Sequence, residues 1–261
     1  MTLRHFLADD DLTAAEQQAV LHRALALKAD SYADRCLTGP RTVSILFDKP
    51  TLRTQVSFVG AVTGLGGFPM VVDGRLAGVG VRESVTDVAR ILGPQSAAVV
   101  WRTFAQDSLE EMAAHAGVPV VNALTDDYHP CQILADLLTV LEAQGGSVLV
   151  TDDPAAAVAG ADVVATDTWV SMGLEAESEA RQGADSPFAP FRVTTALMAG
   201  AAADAVFLHC LPAYRGLEVD AAVIDGPASL VWKEAENRLH AQKALLSWLV
   251  EQQGASGTVA R

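Results

Sequence analysis

The chain has 261 residues, of which 50% are hydrophobic and 19% are charged, and its formal net charge is −14. This composition predicts a folded globular protein of one large domain or two smaller ones and excludes a disordered chain. The negative charge disfavours binding to nucleic acid or to an anionic membrane surface. The apolar stretches are too short and too interrupted to span a membrane.

The first residues of the chain and its cysteines favour a cytoplasmic location. Acidic residues follow Met1 too soon for a secretory signal peptide. The three cysteines, Cys36, Cys131 and Cys210, are few, odd in number and not spaced as metal ligands. Such usage is typical of a reduced compartment rather than of a disulfide framework. We therefore expect a soluble cytoplasmic protein that holds no metal.

The first predicted element is a helix within residues 1–36. Its apolar residues recur at helical spacing, and either Asp11 or Thr13 would cap its start. A buried strand is predicted at residues 43–47, and the Asp48-Lys49-Pro50 segment ends it. We interpret the helix as scaffold, whereas the strand leads into the segment on which the functional interpretation depends.

A strand, a tight turn and a helix are predicted between Ser44 and Gly67, and the helix opens at Thr51-Leu52-Arg53-Thr54. The first turn of a helix leaves backbone N–H groups unpaired and carries the positive end of the helix dipole, so an anion binds there favourably. Thr51 and Thr54 add hydroxyl groups, and Arg53 adds a planar set of donors that suits phosphate. The alternative is a capped surface helix whose arginine is solvated.

Arg102 is a second candidate for anion binding. Ligands of open parallel sheets bind outside the carboxyl ends of the strands. Because Arg53 and Arg102 each follow a predicted strand, both can reach one crevice; otherwise Arg102 is a solvated or ion-paired surface residue. The elements between them are predicted as a strand, a mobile glycine-rich loop, a helix and a strand, at residues 70–72, 74–80, 84–92 and 97–101.

His129 and Gln132 stand at the start of a strongly apolar helix that is predicted to end near Gln144. A histidine before a proline is held in an extended conformation at the helix start, with its ring able to donate a hydrogen bond to a carbonyl oxygen. Gln132 can point the same way; the alternative is a structural histidine. The preceding elements are predicted as a helix and a strand at residues 107–116 and 118–122.

Strands and helices continue to alternate in the second half of the chain. Asp167 and Trp169 end one predicted strand, Ser171-Met172-Gly173 follow it, and His209-Cys210-Leu211-Pro212 end the next strand. A carboxylate and a thiol at neighbouring strand ends suit a substrate that carries an amine. The alternative for Cys210 is a buried small apolar residue. The predicted strands lie at residues 147–152, 162–169 and 204–212, and the helices between them at 154–161 and 193–201.

A long helix is predicted from Val231, with Arg238 inside it and a frayed tail from Gln253. With this helix, six segments of the chain resemble the aspartate/ornithine carbamoyltransferase family, on its ornithine branch. They occur in family order and extend over nearly the whole chain. The segments are FDKPTLRT, VVWRTF, HPCQILADL, DTWVSMG, HCLPAYRG and WKEAENRLHAQKALL.

The resemblance implies an α/β fold of two doubly wound parallel-sheet domains, the second of them truncated. Residues 1–135 would form the carbamoyl-phosphate-binding domain, completed by a helix at 233–252, and residues 136–232 would form a shortened ornithine-binding domain. The Leu211-Pro212 bond is cis in the family. The family is built from trimers, so a homotrimer with shared active sites is also implied.

The resemblance also implies the site residues and the reaction. The δ-amine of ornithine would attack carbamoyl phosphate to give citrulline and phosphate, without a cofactor. Arg102, His129 and Cys210 would be the catalytic residues. Carbamoyl phosphate would be bound by Thr51, Leu52, Arg53, Thr54, Arg102, His129, Gln132 and Arg238. Ornithine would be bound by Asp167, Ser171, Met172, Cys210 and Leu211.

The sequence departs from the family pattern in four places. Leu52 replaces a threonine of the Ser-Thr-Arg-Thr motif, and the lost hydrogen bond to a charged ligand would cost roughly 1.5–3 kcal/mol. Gly78 stands where the family has a glutamine, and Pro50 replaces a small polar residue. About two βα units of the family are missing between Gln144 and Ser147. Their loss would expose sheet edges and apolar helix faces.

These departures leave three functional hypotheses. The first is an active ornithine carbamoyltransferase with a shortened second domain. The second is a non-catalytic homologue that binds carbamoyl phosphate or associates with other carbamoyltransferase subunits. The third is a carbamoyltransferase for a different amine.

Overall fold

The computed structural model describes residues 3–39, 41–143, 153–170, 178–182 and 186–256. Three features named from the sequence, the Gly145-Gly146 junction, the strand at 147–152 and the Ser171-Met172 pair, lie outside the described residues. Asp136–Asn237 form one compact unit, and the residues before and after them form another. Among the described residues, no helix is both long enough and apolar enough to cross a membrane.

Six strands and eleven α-helices are described. The strands are β1 Thr42–Phe47, β2 Phe68–Asp73, β3 Ala98–Arg102, β4 Val120–Leu124, β5 Val163–Thr166 and β6 Val206–His209. The helices are α1 Ala14–Ala29, α2 Arg53–Gly64, α3 Gly74–Ala77, α4 Val85–Leu92, α5 Gln106–Ala116, α6 Pro130–Ala143, α7 Pro154–Val158, α8 Ser178–Gln182, α9 Thr195–Met198, α10 Ala221–Ile224 and α11 Val231–Ser256.

The first unit is built on a parallel four-stranded sheet in the order β2-β1-β3-β4. The strand order reverses between β1 and β3, and ligands of open α/β sheets bind beyond the carboxyl ends of the strands at such a point. Phe47 and Arg102 are register partners there, and the backbone N–H of Asp48 donates to the Arg102 carbonyl at 2.9 Å. The segments that follow β1 and β3 therefore begin side by side.

The core of the first unit lies between this sheet and its helices. β1 and β3 contribute branched side chains because both are central strands, and β3 is buried along its whole length. One core cluster joins Leu46 and Trp101 to Leu109 and Met112 of α5. The alternation of strand and helix that the sequence predicted is confirmed in this unit.

Two local predictions in the first unit need correction. Part of the segment predicted as a mobile loop, residues 74–80, is the single-turn helix α3, because the Asp73 side chain accepts from Leu76 N–H and Gly78 ends the turn with φ +70°. The tail predicted to fray from Gln253 is helical to Ser256.

The described strands of the second unit, β5 and β6, pair in parallel. Phe207 of β6 is fully buried and packs with Val164, Val219, Val223 and other apolar residues in a separate core cluster. The polypeptide turns sharply after β6. The Leu211-Pro212 peptide bond is cis, as the resemblance implied, and Leu211 has a positive φ of 57°.

Candidate active site

The start of α2 is not capped by a side chain. Leu52 occupies the N-cap position, and no side chain caps the helix there, because leucine carries no hydrogen-bond acceptor. The first-turn N–H groups of this 12-residue helix therefore lack the usual capping oxygen. An anion at this position would take its place and would also meet the positive end of the helix dipole.

Thr54 joins three elements in the first turn of α2. Its hydroxyl oxygen accepts from Arg102 Nη1 at 3.3 Å and from Arg238 Nη2 at 2.7 Å. Arg102 lies at the end of β3 and Arg238 lies in α11, and all three side chains are buried. A threonine hydroxyl has two lone pairs and one proton. Because both guanidinium groups take the lone pairs, the proton remains for an anionic oxygen.

His129 lies at the start of α6, where its carbonyl oxygen accepts from the Gln132 N–H at 2.9 Å. Burial lowers the pKa of His129 well below its usual value, and the positive charges of Arg238, Arg102, Arg53 and Lys49 lower it further. The imidazole is therefore neutral near pH 7. Its Nε2 atom has no hydrogen-bond partner among the described residues.

The sequence-predicted residues of the first unit thus come together. Arg53, Arg102 and Arg238 all act on the pKa of His129, and Gln132 is buried one turn into the same helix. Leu52 is the exception, because 71% of its side chain is exposed. Thr51 is partly buried beside it.

Lys49 belongs to this cluster, although the sequence interpretation assigned it only to the end of a strand. It is buried, pairs with the carboxylate of Asp126, and lies 4.8 Å from the ring centroid of Phe104. Its charge also lowers the pKa of His129. The available signal was a lysine directly between a buried strand and the candidate anion site.

Asp167 and Cys210 of the second unit are in direct contact. The Cys210 thiol donates to Asp167 Oδ1 at 2.9 Å, and the Thr168 N–H donates to the same oxygen at 2.6 Å. Burial and the nearby carboxylates of Asp167, Glu234 and Asp136 raise the pKa of the thiol. Cys210 is therefore a protonated hydrogen-bond donor rather than a thiolate. Ser171 and Met172 lie outside the described residues.

The turn that contains Cys210 and Leu211 is held by three buried residues that the sequence did not single out as functional. His209 Nδ1 accepts from the Leu211 N–H at 2.8 Å, and its Nε2 lies 3.2 Å from Glu218 Oε1. Glu234 accepts from the His209 N–H at 2.8 Å. The donor atoms of Asp167, His209 and Cys210 lie within 4.8 Å of one another. Both ring nitrogens of His209 are engaged in hydrogen bonds to Leu211 and Glu218, so only Asp167 and Cys210 of this cluster could ligate a metal ion.

Two family models match this chain. Residues 4–142 match the carbamoyl-P binding domain of aspartate/ornithine carbamoyltransferase, and residues 98–249 match the Asp/Orn binding domain of that family. An ornithine carbamoyltransferase of Clavibacter sepedonicus is 47% identical, over 95% of this chain and 99% of that protein. That alignment has 307 positions and this chain has 261 residues, so the relative contains residues that this chain lacks.

Solved structures agree with these matches. An ornithine carbamoyltransferase from Burkholderia thailandensis is similar with a TM-score of 0.84 and 34% identity, covering 95% of this chain and 98% of that one. The anabolic ornithine carbamoyltransferase of Campylobacter jejuni gives a TM-score of 0.88 and 30% identity, covering 95% and 99%. The predicted two-domain parallel-sheet α/β fold is thereby confirmed. The chain belongs to the aspartate/ornithine carbamoyltransferase family.

Proposed function

We propose that this protein is an ornithine carbamoyltransferase, which transfers the carbamoyl group of carbamoyl phosphate to the δ-amine of L-ornithine. The products are L-citrulline and phosphate. The observation that carries the proposal is the convergence of Arg102 and Arg238 on the Thr54 hydroxyl, at the uncapped start of α2. The family membership of the chain supports the same reaction.

The phosphate group would bind at the start of α2. Backbone N–H groups of residues 51–54, the Thr54 proton and the guanidinium groups of Arg53 and Arg102 are its donors. Arginine suits this role because its donors match two phosphate oxygens at once. Lys49 adds charge to the same region. The local positive charge allows a chain of net charge −14 to attract a doubly negative substrate.

His129, Gln132 and Arg238 would address the carbamoyl carbonyl. Negative charge grows on this oxygen when the amine attacks, and donors placed in advance stabilise it most in the transition state. A neutral imidazole can donate one hydrogen bond without adding a further positive charge to four cations. The low pKa of His129 is consistent with this role.

Asp167, Cys210 and Leu211 would position the amine, together with Ser171 and Met172. The reacting nitrogen must be uncharged, because a protonated amine has no lone pair. Its bond to the carbonyl carbon forms as the bond from that carbon to the phosphate oxygen breaks, and the amine proton leaves with the phosphate as HPO₄²⁻. The chain's residues bind and orient both substrates, and no cofactor is needed.

The test is citrulline formation by the purified protein from ornithine and carbamoyl phosphate. The Arg102→Met substitution should lower kcat/KM for carbamoyl phosphate by about 100-fold or more, because it removes a buried donor to the phosphate. Arg90→Met is the matched control, since Arg90 lies on the surface of α4 and pairs with Asp87. Equal activity of wild type and Arg102→Met would contradict the assigned phosphate site.

A second candidate function is a non-catalytic homologue that binds carbamoyl phosphate or joins other carbamoyltransferase subunits. The specific observation in its favour is that relatives align over more positions than this chain has residues. Calorimetry with phosphate and carbamoyl phosphate separates the two. Binding without citrulline formation favours the second candidate, and absence of binding contradicts the first candidate and the ligand-binding form of the second.

We also propose a cytoplasmic homotrimer, with residues 1–135 and the last helix as the carbamoyl-phosphate domain and 136–232 as the ornithine domain. The first unit exposes large apolar side chains on α2, β2 and the segment after β2, and such patches often mark subunit interfaces. They are Leu52, Val56, Phe68, Leu76 and Val81. Light scattering of the purified protein tests the oligomeric state, and a monomer would contradict it.

A further inference from the structure

The turn after β6 has an unfavourable backbone conformation at the residue next to Cys210. Leu211 has a φ of 57°, which side chains with a Cβ atom rarely adopt. Such a conformation persists only where the surrounding structure over-determines it. The Leu211 N–H is bonded to one buried side chain, His209, which is itself bonded to a second, Glu218, and neither side chain is bonded to the Asp167 carboxylate in the described structure.

The hydrogen bonds of His209 fix its tautomer. The Leu211 N–H donates to Nδ1 at 2.8 Å, so Nδ1 carries no proton. The ring proton is therefore on Nε2, from which it is donated to Glu218 Oε1 at 3.2 Å. By accepting the Nε2 proton, Glu218 keeps Nδ1 unprotonated, so that Nδ1 can accept the Leu211 N–H. The thiol of Cys210 donates to Asp167 and is not bonded to the imidazole.

A single oxygen of Glu218 makes both of its side-chain contacts. Oε1 accepts from His209 Nε2 and from the Tyr214 N–H, at the two sides of the turn. Oε2 is buried and has no hydrogen-bond partner among the described residues. One acceptor atom of Glu218 thus joins His209 to the backbone of Tyr214, and none of the described contacts involves its second oxygen.

We propose that Glu218 is a positioning residue for the amine-binding turn. Through the Nε2–H tautomer of His209 it holds Leu211 in the left-handed conformation, and Leu211 in turn sets the position of the Cys210 thiol against Asp167. Glu234 supports the same histidine by accepting its backbone N–H at 2.8 Å. The kinetic part of this inference rests on the proposed function, whereas the effect on Cys210 does not.

Two substitutions of Glu218 separate positioning from charge. Glu218→Gln keeps an acceptor at the position of Oε1, removes the charge and places an NH2 group where Oε2, which has no described partner, now lies. The kcat and the KM for the amine should therefore stay within about threefold of wild type. Glu218→Leu removes the acceptor for both donors. It should lower kcat by about 100-fold, because a displacement of about 1 Å has effects of that size, and leave phosphate affinity unchanged in calorimetry.

The reactivity of Cys210 provides a readout without turnover. Burial, and then the Asp167 carboxylate, raise the pKa of the Cys210 thiol. Alkylation by iodoacetamide, followed by mass spectrometry of the Cys210 peptide, should therefore be faster in Glu218→Leu, in which the displaced thiol is more accessible and leaves that carboxylate. It should be unchanged in Glu218→Gln. Val223→Ala is the stability control, since Val223 is buried in the core cluster of the second unit, against which Leu211 packs, and its described hydrogen bonds go only to residues within 220–226.

The outcomes are distinct. If Glu218→Gln loses as much activity as Glu218→Leu, the charge or the proton of the carboxyl group is required. The proposal that Glu218 only positions the turn would then be wrong. If Val223→Ala matches Glu218→Leu in alkylation rate at an equal loss of thermal stability, Glu218 serves only the fold. If the wild type forms no citrulline but the alkylation rates differ as expected, the proposed function fails and the positioning role stands.

Discussion

The two units of this protein differ in charge far more than in architecture. Residues 136–237 contain sixteen of the 32 acidic residues but only four of the 18 lysines and arginines. The rest of the chain is nearly balanced. The buried sites follow the same division: cations surround neutral His129 in the first unit, and carboxylates surround His209 in the second unit. Each unit thus has the charge that suits one substrate, an anion in the first and an amine in the second.

The proposed role of negative charge in the second unit is tested most directly at Asp167. The Asp167→Asn substitution keeps the side-chain shape but removes the negative charge that we propose faces the amine. We expect the KM for the amine to rise by about 10–100-fold, the range for a lost hydrogen bond to a charged group. The KM for carbamoyl phosphate should not change. Steady-state kinetics with each substrate varied in turn measures both values.

The matched control for this substitution lies at the other end of the same strand. Asp162 directly precedes β5 and Asp167 directly follows it, so Asp162→Asn makes the same change of charge in the same unit. Its kinetics should equal those of wild type. If both variants raise the KM equally, the overall charge of the unit matters and the position of Asp167 does not.

The sequence indicated the grouping of the candidate residues more clearly in the first unit than in the second. The β1–α2 segment carries its own signals, a short buried run followed by a helix start with two hydroxyls and an arginine. The shared role of Thr54 could not be predicted, because Arg102 and Arg238 reach it from distant parts of the chain. Long-range contacts of this kind leave no local pattern in one sequence.

Glu218 shows what a single sequence conceals. Glutamate is almost never fully buried without a partner, so an isolated glutamate in a turn is expected to be solvated. Here it is fully buried because a histidine and a backbone N–H both donate to it. α3 was missed for a related reason: a capping contact of Asp73 outweighs the low helix propensity of glycine.

The proposed anion binding by the first unit can be tested at Leu52. The Leu52→Thr substitution would restore a hydroxyl at the N-cap of α2, where it can donate to the phosphate. We expect the KM for carbamoyl phosphate to fall by about tenfold, which corresponds to one hydrogen bond to a charged ligand. Val56→Thr is the control, because it adds the same group to an exposed position one turn further along the helix. An equal effect of both substitutions would contradict a specific contact.

The smallest expected effect concerns the response of His129 to pH. Burial and then the charges of Arg238, Arg102, Arg53 and Lys49 hold its pKa in the folded protein well below 6.5, the ordinary value that applies when the chain is unfolded. Well above pH 6.5 the histidine is neutral in both the folded and the unfolded state, so it does not make the free energy of unfolding depend on pH. As the pH falls from 6.5 towards the folded-state pKa, the unfolded chain takes up a proton that the folded protein does not, so stability decreases.

This pH dependence can be measured by comparing His129→Gln with wild type in thermal unfolding at a series of pH values. The other histidines are the same in both proteins, so the difference between the two slopes isolates His129. Wild type should lose more stability than the variant as the solution is acidified below 6.5. Saturating phosphate should reduce this difference, because a bound dianion offsets the four cations that keep the imidazole neutral. If the difference between the wild-type and variant slopes is the same with and without phosphate, the charges of these cations do not lower the pKa of His129. The contrast in charge between the two units would then not extend to the candidate site.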